Sequence, residues 1–127
     1  MNAMPPLLLV AIGGAFGSIA RYSVSAAISR MTSSAFPWGT LAVNVAGSFF
    51  IGLLMIVLLK TGEWRENSHF LLITGVMGGF TTFSSFSWET VKLLEDGRLL
   101  LAVTNIFASV AICLLATLAG ALLARQF

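Results

Sequence analysis

Charged residues in this 127-residue chain fall in a few short clusters, and between them lie four uncharged apolar runs at residues 1–20, 31–59, 68–88 and 99–124. A helix needs about 20 apolar residues to cross a hydrocarbon core, so the pattern predicts four transmembrane helices near residues 7–29, 39–59, 70–94 and 99–123. Pro37 and Gly39 end the first connection, residues 60–69 form a polar second one, and Glu95-Asp96-Gly97-Arg98 makes a tight third turn. Such short connections impose up-and-down packing. The expected fold is an all-α integral membrane protein, one four-helix domain over residues 1–127.

Composition agrees with the pattern: 57% of residues are hydrophobic and 9% charged, with a mean hydropathy of +0.95, against about 25% charged in soluble domains. The net charge is +2, but the basic residues are scattered singly, which excludes a nucleic-acid grip. No Lys or Arg precedes Arg21 and no small-residue cleavage site follows, so the first span is expected to remain rather than be removed as a signal peptide. Cys113 is the only cysteine, which rules out a disulfide framework within one chain. Trp38 and Trp64 flank the second span as interfacial anchors. No Ser, His and Asp set, HExxH or phosphate-binding glycine loop is present, and an enzyme is not expected.

Basic residues orient a membrane protein through their bias to one side. Here Lys60, Arg65 and Arg125 fall on the side of the N-terminus and Arg30, Lys92 and Arg98 on the other, three against three before Arg21 is assigned. So even a balance specifies orientation weakly, and a chain that inserts both ways can pair with its inverted copy. An antiparallel homodimer in the lipid bilayer is the expected assembly.

The most unusual stretch is Gly78-Gly79-Phe80-Thr81-Thr82-Phe83-Ser84-Ser85-Phe86-Ser87, a glycine pair and five hydroxyls in mid-membrane. Thr82 is the midpoint of the predicted third span. Weak helix formers and hydroxyls that compete for backbone bonds predict a break there. Broken backbone at that depth survives only when buried in protein or facing a cavity or ion. Two carbonyls from each of two copies would offer four oxygens to a small hard cation, and a glycine kink satisfied by neighbouring side chains is the alternative. Beyond the break, Phe83 and Phe86 share a helix face, with Ser84 and Ser87 adjacent. A phenyl ring has a positive edge that can favour an anion without a tight ion pair.

Other spans add polar stripes at four-residue spacing. Thr40, Asn44 and Ser48 lie along the second, Asn105 and Ser109 along the fourth, with Cys113 continuing the latter. Asn44 must face a partner, water or a permeant ion, because a buried unpaired amide is expensive. Glu89, about 10 Å from the span centre at 1.5 Å per residue, is expected at a vestibule. Two readings stay open for Arg21: drawing anions into an entrance, or snorkelling to headgroups. Gly13 and Gly17, and Gly75 and Gly79, are pairs four apart that permit close helix approach.

Together with Pro37-Trp38-Gly39-Thr40-Leu41-Ala42-Val43-Asn44 and the segment from Gly13 to Arg21, the run from Gly75 to Ser87 resembles the small microbial fluoride channels, the Fluc or CrcB family. The likeness covers nearly the whole chain. It implies a dual-topology antiparallel dimer with two fluoride pathways and a central structural sodium ion (Na+) on the Gly78 and Thr81 carbonyls. It also implies that Asn44 contacts the permeating anion, that Phe83 and Phe86 turn ring edges to it, and that Thr40, Ser84, Glu89 and Ser109 belong to the polar path, with Arg21 matching a first-span arginine. Two departures are Ser85, where many members carry threonine, and Cys113, where some carry serine; the thiol is the poorer donor.

The implied role is passive fluoride export across the plasma membrane of a microbe, driven by the inside-negative potential at about 2.3 kcal/mol per charge per 100 mV, with no ATP site. A small dual-topology proton-coupled cation exporter is the main rival, but such exporters carry a carboxylate in the first span and this chain has none there. A non-transporting partner subunit is the third possibility.

Overall fold

The computed structural model of the protein describes residues 4–60 and 66–127; Trp64 and Arg65 lie outside the described residues. Its helices form four units long and apolar enough to cross a membrane, Pro6–Thr32, Trp38–Lys60, Glu66–Glu95 and Leu99–Ala124. The protein is a multi-pass, all-α membrane protein.

Helix α1 (Pro6–Thr32) begins with a proline in its first turn, where a missing N–H costs nothing, and ends at Ser33, whose left-handed backbone (φ 43°, ψ 34°) returns its N–H to the Ser29 carbonyl. Helix α2 (Trp38–Lys60) starts directly after Pro37. At its far end the Lys60 ammonium donates to the Ala124 and Arg125 carbonyls at 3.3 and 2.7 Å. It thereby caps the last helix, where a cation also suits the helix dipole.

The third span is not one regular helix. It comprises α3 (Glu66–Ser68), a π-helical segment (His69–Met77), α4 (Gly78–Phe80) and α5 (Phe83–Glu95), with Thr81 and Thr82 between the last two. Thr81 (φ −79°, ψ 154°) and Thr82 (φ −148°, ψ 111°) are extended. The break therefore falls on the threonines and not on the glycine pair, which stays helical. β-Branched residues suit extended backbone, and Thr82 caps α5 by accepting the Ser85 N–H at 3.2 Å. Gly79 has a different use: a Cβ there would come within 2.6 Å of the Gly14 carbonyl oxygen. The third turn closes through Gly97 (φ 73°), with Gly97 N–H to Leu94 C=O at 3.0 Å and Arg98 N–H to Leu93 C=O at 2.8 Å, before α6 (Leu99–Ala124).

Two backbone-close interfaces hold the bundle. Helix α2 packs most extensively on α6, where Gly52 lies on the Thr117 carbonyl and Gly120 on the Phe49 carbonyl. Helix α1 packs on the π-helical segment and α4, and both expected glycine pairs serve that contact. A Cβ on Gly13 would lie 2.9 Å from the Gly75 Cα, and one on Gly17 would lie 2.9 Å from the Phe80 nitrogen. Without a hydrophobic force between helices in lipid, such small-residue contacts supply the van der Waals packing.

Gly17→Ala should lower thermal stability in detergent by about 1–3 kcal/mol, the usual cost of overpacking. Gly14→Ala, where an added Cβ meets nothing within 4 Å, should be neutral or gain up to about 1 kcal/mol from helix propensity. Equal melting of the two variants would contradict this packing.

Candidate ion-pathway site

Thr82 has its backbone held by a side chain from another helix. The Asn44 amide of α2 reaches across: its Nδ2 donates to the Thr82 carbonyl at 2.9 Å and its Oδ1 accepts the Thr82 N–H at 2.8 Å. In an uninterrupted helix the Thr82 N–H would serve the Gly78 carbonyl four residues back, and the Ser85 N–H would serve that of Thr81. Both donors are diverted, one to Asn44 and the other to the Thr82 hydroxyl. The extended backbone at Thr81 and Thr82 takes the carbonyls of residues 78–81 out of the helical register, and those of Gly78 and Thr81 are two of these four.

Two cavities meet at this point, and Thr82 lines both. The first, of about 340 Å³, gathers Arg21, Thr40, Ser85 and Glu89. Thr40 donates to Glu89 Oε1 at 2.7 Å, while Glu89 Oε2 is buried without a hydrogen-bond partner among the described residues. A carboxylate oxygen left so is costly. Glu89 also borders a neighbouring cavity of about 240 Å³ that reaches Lys92, Asp96 and Arg98, so the carboxylate stands between the span's interior and a charged mouth.

The second cavity, of about 430 Å³, brings Asn44, Ser48, Phe83, Phe86, Ser109 and Cys113 together, and none of its lining residues is charged. The Phe83 and Phe86 ring centroids lie 5.3 Å apart at 51°. Phe86 is 9% exposed and anchored, whereas Phe83 is 77% exposed. Ser84 stands outside both cavities, its hydroxyl 3.3 Å from that of Thr82.

Three of these features have no counterpart in the sequence reading. The π-helical segment is one. Another is the double duty of Thr82 as cap and clamp point; the signal available was a hydroxyl residue three positions before Ser85. The third is Thr90, which donates to the Phe86 carbonyl at 2.7 Å and accepts from Asn105 Nδ2 at 2.9 Å. Threonine on a helix commonly bonds its own i−4 carbonyl, so nothing at Thr90 set it apart.

The family described as CrcB-like protein, Camphor Resistance (CrcB), matches residues 8–121. The chain belongs to the CrcB family. Its relatives include the proteins named Fluoride-specific ion channel FluC of Geobacter sulfurreducens, 50% identical over 123 residues (97% of this chain, 99% of the relative), and of Agrobacterium fabrum, 47% identical over 120 residues (94% and 96%). Likeness over nearly the full length of both partners means that this CrcB-family chain shares the whole four-span unit with them.

Asn44→Ala takes away the acceptor of the Thr82 N–H and one of the donors to its C=O, and the protein should lose about 1–3 kcal/mol of stability as the break loses its clamp. Ser48→Ala, on the same stripe but without a side-chain hydrogen bond among the described residues, should shift stability by less than about 0.5 kcal/mol. Thermal unfolding of the two purified variants compares them; an Asn44→Ala protein as stable as Ser48→Ala would remove the clamp from the account.

Proposed function

We propose that this chain is a fluoride channel that lets the anion leave a microbial cell passively, working as an antiparallel dimer with a structural sodium ion. The observation that carries the reading is the uncharged cavity beside the break, where Asn44, Phe83, Phe86 and Ser109 converge from three helices. Neutral donors and ring edges can replace part of a small anion's hydration and still release it, whereas a fixed charge at that depth would hold it. The relatives' names point to the same ion. Arg21, Thr40 and Glu89, at the adjoining cavity, would form the wetter approach.

Sodium fits the chemistry of the break. The Gly78 and Thr81 carbonyls are hard oxygen donors released from the helical register, and a bound cation satisfies what lipid cannot. One chain supplies two such oxygens and a second copy would double them. Sodium would supply a fixed positive charge that joins two broken helices. Support for the second copy comes from the surface: Thr74, Gly78 and Phe83 are exposed in mid-span on one protomer, and polar backbone at that depth requires protein cover. Balanced charge at the two ends leaves inverted insertion open.

In liposomes loaded with fluoride and monitored with a fluoride electrode, the purified protein should release fluoride but not chloride. Phe83→Ala should slow release at least about tenfold, equivalent to about 1.4 kcal/mol of barrier. A folded protein that releases no fluoride, or one that takes up organic cations against a proton gradient instead, would overturn the reading.

A further inference from the structure

A chain of three hydrogen bonds, lying behind the uncharged cavity and starting at a backbone carbonyl, fixes which way each side chain's polarity points. The Phe86 carbonyl can only accept, so the Thr90 hydroxyl 2.7 Å away must give it its single proton. Thr90 Oγ1 is then only an acceptor toward Asn105, and the Asn105 amide must turn its NH₂ to it, at 2.9 Å. That leaves Asn105 Oδ1 facing Ser109, and the Ser109 hydroxyl donates to it at 3.3 Å. Asn105 is 1% exposed and Thr90 7%, so water does not compete for these bonds. Ser109, at 8% exposure, is the one member of the chain whose polar side chain belongs to a residue lining the cavity.

We infer that Thr90 and Asn105 are positioning residues that aim the Ser109 proton away from the cavity, so that Ser109 presents lone pairs to it and donates to an anion only by giving up Asn105. The inference rests on the channel reading above and deepens it. The Ser109 bond is the longest of the three, well beyond the roughly 2.7–2.8 Å usual for O–H···O, and it is the link that yields. Asn105 thereby competes with the anion for one proton. This weakens anion binding at Ser109 and favours onward movement, since conduction requires a site weak enough to leave.

Thr90→Val keeps the shape and removes the acceptor. The Asn105 amide can then rotate and offer its NH₂ to Ser109, whose proton turns to the cavity. The fluoride concentration at half-maximal efflux should fall by about threefold or more, the scale of one hydrogen bond's net contribution. Thr90→Ser, which retains the hydroxyl, should restore the wild-type value. Asn105→Leu, which takes away Ser109's acceptor by a different route, should lower the half-maximal concentration in the same direction and keeps the test usable if Thr90→Val does not fold. Adding Ser109→Ala to either variant should abolish the shift. A shift that persists without the Ser109 hydroxyl, or no shift in a folded Thr90→Val or Asn105→Leu protein, would overturn the proposal. Absence of fluoride efflux from the wild type would overturn the channel reading and this inference with it.

Discussion

The two-point hydrogen bond between the Asn44 amide and the Thr82 backbone is the constraint on which the rest depends. It takes the N–H that would have closed the third span as a continuous helix and satisfies the carbonyl beside it, so the break is a paired structure and not a defect in lipid. From it follow the restart of α5 at Phe83, the placing of Phe83 and Phe86 one turn on, and the meeting of two cavities at Thr82. Remove the clamp and the Gly78 and Thr81 carbonyls can recover ordinary helical donors.

Asn44 can hold Thr82 only because its helix is fixed at the right depth and distance. Glycine makes both possible. Gly52 and Gly120 bring α2 and α6 to backbone contact, and Gly47 leaves room for Thr81, whose Cγ2 a Cβ would strike, and for the Phe80 ring at 3.2 Å. Gly13, Gly17, Gly75 and Gly79 bring α1 equally close to the first half of the third span. In membranes the driving force is such packing together with interhelical hydrogen bonds, and here the two coincide at one level. The polar interior is thus closely packed where it is buried, while Phe83 and Gly78 are exposed on its outward face.

Most of the architecture was legible because charge excludes itself from hydrocarbon: the gaps between clusters alone place four helices. The break was legible as a place but not residue by residue. Low helix propensity pointed equally at Gly78-Gly79 and Thr81-Thr82, and tertiary contact decided between them, since the glycines pack on α1 while Thr82 is caught by Asn44. Asn44 stood out because a buried amide must have a partner, yet which partner depends on a contact between residues far apart in sequence. The bridging role of Thr90 and the capping role of Lys60 were not legible for the opposite reason: a helical threonine and a terminal lysine are ordinary until a neighbouring helix gives each a specific acceptor or donor.

The central claim is tested most directly by carbon-13 chemical shifts of the protein in lipid bilayers, read by solid-state NMR across residues 77–86. The account predicts extended-backbone Cα and Cβ shifts at Thr81 and Thr82, flanked by helical shifts at Phe80 and Phe83, with both returning toward helical values in Asn44→Ala. Helical shifts running unbroken through Thr81 and Thr82 in the wild type would contradict it.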